Sequence, residues 1–268
     1  MKYLRLLRIH NGLLASFAIF ICPFIDSYRI NERWFLAIIS CFLLTSYANV
    51  LNDFFDYELD KLAKPYRPLP SGQISLRKAL VISILLLISG LFFSAKGGWD
   101  MFSFALFNSF LIFLYNYKLK KNLFDGNICV GFLGASPFLY GGLALHSTDV
   151  LIPFSVALLF HISREIIKDI EDTQFDLQFG YKTLPIIWGR YYALLFSNFV
   201  FSASFIFLLM PLWFKIYSKL YAVIAIPPAF LCSFYFPKVV LDISKVKKLN
   251  KMMKISSVIV MIAFLFAK

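Results

Sequence analysis

Residues 34–60 read WFLAIISCFLLTSYANVLNDFFDYELD. Nineteen residues without a charge (34–52) are followed by four acids in eight, Asp53, Asp56, Glu58 and Asp60. The uncharged run has the length of a helix that crosses a hydrocarbon core, about 20 residues. Its apolar residues come in blocks and do not alternate with polar ones, so it does not read as a strand of a membrane barrel. A helix is then the way for a lipid-exposed backbone to satisfy its own hydrogen bonds. The stretch predicts a transmembrane helix with an acidic cluster at one end.

Runs of the same kind recur along the chain. Nine spans are expected, roughly 12–26, 34–52, 79–95, 100–117, 127–145, 148–167, 188–210, 218–236 and 252–267. The first is short, but no small-residue cleavage site follows it, so it does not read as a signal peptide. Overall 60% of residues are apolar and 16% charged, too few charges for the surface of a soluble domain of this length. The expectation is one all-α integral membrane domain over residues 1–268. Cys22, Cys41, Cys129 and Cys232 lie apart inside apolar runs, and His10, His146 and His161 have no metal-ligand spacing, which disfavours zinc, haem and disulfide chemistry.

The formal charge of +12 raises the question of nucleic acid. On this segmentation, 21 of the 27 Lys and Arg residues fall on one side of the membrane. They are Lys2, Arg5 and Arg8 with the basic residues of 53–78, 118–126, 164–190 and 237–254. The other side holds Arg29, Arg33, Lys96, Lys215, Lys219 and Lys268. This is the positive-inside pattern, with a cytoplasmic N-terminus, an outside C-terminus and the plasma membrane as the expected location. Topology accounts for the charge, and neither a nucleic acid nor an obligate protein partner is implied. The loop from Lys238 to Lys254 is expected to attract anionic lipid head groups.

Nine of the 15 acids lie in two clusters, both on the basic side: Asn52–Asp60, and REIIKDIEDTQFD from Arg164 to Asp176. Asp53, Asp56 and Asp60 are spaced D-x-x-D-x-x-x-D, as are Asp169, Asp172 and Asp176. At about 100° per residue each trio falls within roughly 60° on one helix face. Two such faces opposed across a cavity would repel one another and take up protons unless cations intervened. Hard Mg²⁺ (or Mn²⁺), which takes one or two carboxylates with phosphate oxygens and water, resolves the conflict. The pattern therefore points to a receptor for a metal-bound diphosphate, in which the metal neutralises charge on the departing group. Glu58 and Glu171 point away from the aspartate faces and are expected to be solvated.

These motifs resemble those of the UbiA-type intramembrane prenyltransferases. Asn52-Asp53-x-x-Asp56-x-x-x-Asp60 is similar to that family's first signature, and Asp172-x-x-x-Asp176, with Gly180 and Lys182, to its second. Tyr117 to Lys121 resembles its Y-x-x-x-K element. NDFFDYELDKLAKPYRPLPSGQIS and SREIIKDIEDTQFDLQFGYKTLPI resemble most the branch that makes digeranylgeranylglyceryl phosphate, and Asp169 belongs to this narrower pattern. Thr173-Gln174-Phe175 departs from the small, Gly-containing segment of the family and leaves the acceptor and prenyl length open. The resemblance implies a nine-helix bundle around a central cavity, with a cytoplasmic-side active site and an apolar tunnel for the prenyl tail.

The resemblance also implies roles. Asp56, Asp60, Asp172 and Asp176 are the expected metal ligands, with Asp53 and Asp169 as further or indirect ones. Asn52 would offer an oxygen or a donor to diphosphate; its other reading is a helix-end cap. Arg67, between two prolines, suits phosphate oxygens. Tyr117 and Lys121 would hold the leaving group, with Lys120, Arg164, Lys168 and Lys182 as further diphosphate contacts. The expected reaction is transfer of a long prenyl group from an isoprenyl diphosphate to a lipophilic acceptor. A glycerol-phosphate hydroxyl leads, and an aromatic ring of the quinone type is second. A UbiA-type terpene cyclase would use the same metals without an acceptor. An ion-coupled transporter is disfavoured because the acids sit at the ends of the runs.

Overall fold

The computed structural model describes residues 2–25 and 30–268. The end of the first expected span at 26, and Arg29, lie outside the described residues. All regular structure among the described residues is helical. The first half of the chain runs α1 (Lys2–Leu7), α2 (Ile9–Phe20), α3 (Cys22–Ile25), α4 (Glu32–Phe55), α5 (Tyr57–Ala63), α6 (Leu76–Gly97) and α7 (Trp99–Tyr117). The second half runs α8 (Asp125–Leu145), α9 (Leu151–Gln178), α10 (Leu184–Ile187), α11 (Arg190–Trp213), α12 (Lys219–Leu241) and α13 (Val246–Ala263).

Among the described residues six segments are long and apolar enough to cross a membrane: α4, α6, α8, α11, α12 and Ile243–Phe266, which contains α13. Ile9–Ile25 is a shorter apolar stretch. The other two expected spans are helical, in α7 and α9, but are less apolar. Asp100, Asn108 and Asn116 interrupt α7, and Arg164, Glu165 and Lys168 fall in the middle of α9. The 28 residues of α9 extend about 42 Å at 1.5 Å per residue, against a core of about 30 Å. It is therefore longer than the core is thick, and the second acid cluster occupies its C-terminal half.

The chain divides into two compact units, Met1–Phe20 with Ile30–Lys120 and Tyr140–Ser147, and Ile21–Arg29 with Lys121–Leu139 and Thr148–Lys268. In the first, α4 packs against α2, α6 and α7. Gly90 makes the α4–α6 approach possible, since a Cβ there would stand 2.7 Å from Leu44 Cδ2. Ser40 donates to the Gly90 carbonyl at 2.8 Å, and the Tyr140 hydroxyl donates to Ser40 Oγ at 3.1 Å. At the other end Leu6, Val50, Leu69, Ile74 and Ala79 form a core cluster. In the second unit, α9 packs on α11 through Ser163 and Ser197, whose hydroxyls meet at 2.9 Å. Ile166, Ile167, Ile170, Leu184, Phe201 and Phe236 belong to its core.

One expected loop is corrected. The basic stretch 238–254 is largely helical, from the last turns of α12 through a short turn into α13. Val246, Leu249 and Met253 recur at helical spacing and are buried, while Lys247, Lys248, Lys251 and Lys254 are exposed. An apolar stripe facing the core favours helix over loop there.

Candidate functional site

The first acid cluster is tied together within the first unit. Asp53 accepts hydrogen bonds from Arg8, which makes a close ion pair, and from Arg67 at 3.2 Å. Arg67 also donates to Asp60 Oδ2 at 2.5 Å. Lys120 forms a close ion pair with Asp56. Asn52 donates from one amide nitrogen to Asp56 Oδ2 and to Asn116 Oδ1, both at 3.0 Å. Asn116 in turn donates to the Ile112 carbonyl at 2.8 Å. Three carboxylates are thus matched by three cations on α4, α5, the 64–75 connection, the α1–α2 junction and the short 3-10 turn Leu119–Lys121 after α7.

Local structure explains this convergence. Arg8 has φ of 46°, the left-handed region that a non-glycine residue enters only when its surroundings require it. That turn ends α1 and directs the guanidinium to Asp53. The expected single acidic face is corrected at Asp56. Helix α4 ends at Phe55, Asp56 has φ −87° and ψ 8°, and α5 restarts at Tyr57, so the trio sits on two helices joined by a bend. Asp53 and Asp60 are enclosed, at 2% and 1% exposure. Asp60 Oδ1 is buried without any hydrogen-bond partner. Glu58, by contrast, is exposed and pairs with Lys61 at 3.0 Å.

In the second unit Asp169, Asp172 and Asp176 all stand on the uninterrupted α9. Asn127 donates to Asp169 Oδ2 at 2.8 Å, and Thr183 donates to Asp176 Oδ2 at 3.3 Å. Burial, with the Asp172 charge beside it, pushes the Asp176 carboxyl up to about 6. Lys168 forms a close ion pair with Glu165. Glu171 is not the solvated acid expected from the sequence: it is half-buried and accepts from Asn250 on α13 at 2.8 Å. Packing of α9 against α13 turns that face inward.

The remaining expected diphosphate contacts are less integrated. Tyr117 is 62% exposed and stacks on Phe113, with centroids 5.9 Å apart. Lys121 is exposed, and its carbonyl accepts from the Lys182 N–H at 2.9 Å; the Lys182 side chain is exposed as well. Arg164 is half-buried on α9. Arg8, Asn116, Asn127 and Thr183 were not expected at the site. The two asparagines had a signal, since amides at the ends of apolar runs need partners; Arg8 was hidden among the topological charges.

Among the described residues no three acid, His or Cys side chains converge as a ready-made metal set. That does not conflict with a cation held by one or two carboxylates and completed by ligand oxygens and water. Within the first unit the unpartnered Asp60 Oδ1, and within the second the raised Asp176 beside Asp172, are acceptor groups that a cation would satisfy.

Apolar helices of spanning length, with clusters of opposed charge at helix ends, define an integral membrane protein. The chain matches the UbiA prenyltransferase family over residues 15–258, and it belongs to that family. It is a prenyltransferase. A relative from Methanococcus maripaludis named digeranylgeranylglyceryl phosphate synthase is 36% identical over 275 aligned residues, covering 98% of this chain and 96% of its own. A solved structure described as giving structural and mechanistic insights into digeranylgeranylglyceryl phosphate synthase in membranes superposes with a TM-score of 0.82. It is 33% identical and covers 99% of this chain and 97% of its own. A UbiA homolog from Archaeoglobus fulgidus, bound to DMAPP and Mg²⁺, has a TM-score of 0.69 at 19% identity over 97% of this chain and 99% of its own. At that identity it shows the shared fold.

Proposed function

We propose that residues 1–268 act as one membrane prenyltransferase domain that joins a long prenyl diphosphate to the hydroxyl of a glycerol-phosphate lipid, the reaction named for its relatives. The observation that carries the proposal is the balanced network of Asp53, Asp56 and Asp60 with Arg8, Arg67 and Lys120. The site residues are those expected from the sequence, with Lys120 ahead of Lys121 because it already stands on Asp56 while Lys121 faces solvent. A nine-span topology with a cytoplasmic N-terminus in the plasma membrane completes the reading.

Bound Mg²⁺ would supply charge neutralisation at the diphosphate, held by Asp56 and Asp60 in one cluster and by Asp172 and Asp176 in the other, with Asp53 and Asp169 supporting. The residues then have defined tasks. Arg67 and Lys120 are occupied by carboxylates in the ligand-free protein. With a diphosphate bound, these side chains would donate to its oxygens in place of the carboxylates, which would be left free to hold the cations. Asn52 holds Asp56 in place through its bond to Asn116. In the reaction the bond between C1 of the prenyl group and the diphosphate oxygen breaks, and the acceptor hydroxyl oxygen bonds to C1. The hydroxyl proton is released, and diphosphate leaves with the bonding pair.

The test offers farnesyl, geranylgeranyl and dimethylallyl diphosphates in competition, with geranylgeranylglyceryl phosphate and 4-hydroxybenzoate as acceptors. The long donors and the glyceryl acceptor are expected to dominate, since each buried CH₂ contributes about 0.8 kcal/mol. Prenylated 4-hydroxybenzoate as main product would move the enzyme to the quinone class, and a cyclic hydrocarbon formed without acceptor would make it a cyclase. Turnover is expected to vanish in EDTA and in Asp56→Ala and Asp172→Ala. Normal rates under those conditions would remove the metal from the proposal.

A further inference from the structure

Away from the acids, the first unit contains a groove of about 550 Å³ lined by Tyr3, Leu6 and Leu7 of α1 and by Arg77, Lys78, Val81 and Ile82 of α6. We propose that this groove binds an anionic phospholipid of the surrounding bilayer, with its phosphate on Arg77 and Lys78 and one acyl chain along the apolar floor. The proposal does not depend on the acceptor assigned above.

Charge supplies the first argument. Arg77 and Lys78 stand in the first turn of α6, which contains no acid. The N-terminal end of a helix carries partial positive charge, so two cations there are disfavoured unless an anion joins them. No ion pair is formed by either residue among the described residues, and both are exposed. Lys2 adds a third cation at the α1 side, where its ammonium lies 5.5 Å from the Tyr3 ring centroid. A phosphate head would resolve the repulsion at this mouth, as basic pockets at membrane surfaces do for anionic lipids.

The floor supplies the second. Leu6 is fully enclosed and packs with Val50 and Ala79, and Leu7 and Ile82 pack against the same cluster. The floor is therefore held by the core and needs no ligand to form it. Its outer wall is open: Tyr3 is 44% and Val81 56% exposed, and Val81 continues into the exposed Ile84, Leu85 and Ile88 of α6. These residues lie on a helix apolar and long enough to span, so the groove opens toward bilayer lipid. The lining contains no carboxylate with which to hold the cations of a diphosphate, so the prenyl donor does not suit it.

The test uses the purified full chain in phosphatidylcholine nanodiscs doped with a phosphatidic acid that carries a photoreactive diazirine in one acyl chain. Phosphatidylcholine with the same chain is the control, and cross-linked peptides are mapped by mass spectrometry. Phosphatidic acid should label residues 2–7 and 77–86 about tenfold more than the control. Arg77→Gln/Lys78→Gln should reduce labelling to the control level, and Val81→Trp, at an exposed position, should reduce it by filling the groove. Equal labelling by both lipids, or undiminished labelling in the double variant, overturns the proposal. Displacement of the probe by millimolar inorganic phosphate would make this a phosphate site only. Displacement by geranylgeranylglyceryl phosphate but not by unlabelled phosphatidic acid would assign the groove to the acceptor.

Discussion

Arg67→Met isolates the central element of the first acid network. Arg67 donates to Asp60 at 2.5 Å and to Asp53 at 3.2 Å. In the variant Asp53 keeps Arg8. Asp60 keeps nothing, since Oδ1 has no partner and Oδ2 bonds only Arg67, and its side chain is 1% exposed. Removing one member of a buried ion pair costs about 3–5 kcal/mol, because the other charge is left uncompensated. Arg67 is itself 20% exposed, so water can enter the vacated space, and a loss of about 3 kcal/mol is expected. For a chain of this size that corresponds to a midpoint lower by about 6–12 °C, measured by thermal scanning in detergent with size-exclusion recovery as readout. Adding Asp60→Asn to Arg67→Met removes the stranded charge and should recover more than half of the loss, a coupling that independent sites would not show. Two results would refute the reasoning: a midpoint within about 3 °C of the parent for Arg67→Met, or a further fall on adding Asp60→Asn. The recovered double variant is expected to be inactive, since Asp60 is assigned to the metal and Arg67 to the diphosphate.

Other predictions follow from separate parts of the molecule. Single cysteines at Ser71 and Ser147 in a cysteine-free background should label from opposite faces of intact cells; labelling from one face would break the nine-span topology, and a reversed pattern its orientation. Asp176 has a folded pKa of about 6 against an ordinary 3.8, so the folded state binds the extra proton between those values. The metal-free protein should therefore lose stability as pH rises from about 4 to about 6, by about 2 kcal/mol, and Asp176→Asn should flatten that slope. A stability that rises across this window in EDTA would contradict the raised value. Gly131→Ala places a Cβ 2.3 Å from Ile162 Cγ1, between α8 and α9. This overpacking should cost about 1–3 kcal/mol, relieved by Ile162→Ala, which removes the clashing Cγ1; an unchanged midpoint would mean that the helices separate freely there.

The sequence by itself determined the membrane class, the helical runs, the family and the two acid clusters, because these depend on local properties. Hydropathy over about 20 residues and a period of 3.6 are written along the chain without reference to distant partners. The same holds for Glu58, whose solvation follows from its register on α5. Tertiary structure alone decided where long side chains end. Arg8 looked like ordinary positive-inside charge, Lys120 like a diphosphate contact with no carboxylate partner, and Glu171 like a solvated acid, since a Lys, Arg or Glu can reach several ångströms in many directions. Packing selects one direction: the left-handed turn at Arg8 aims it at Asp53, the short turn after α7 brings Lys120 to Asp56, and α13 covers Glu171 with Asn250. The bend at Asp56 belongs to the same class. D-x-x-D-x-x-x-D is compatible with one straight helix, but Lys120 and the Asn52 amide hold Asp56 where α4 ends and α5 begins. Sequence spacing can bring carboxylates to a common side, while the partners of each, and hence the charge left for a ligand to satisfy, exist only once the helices have packed.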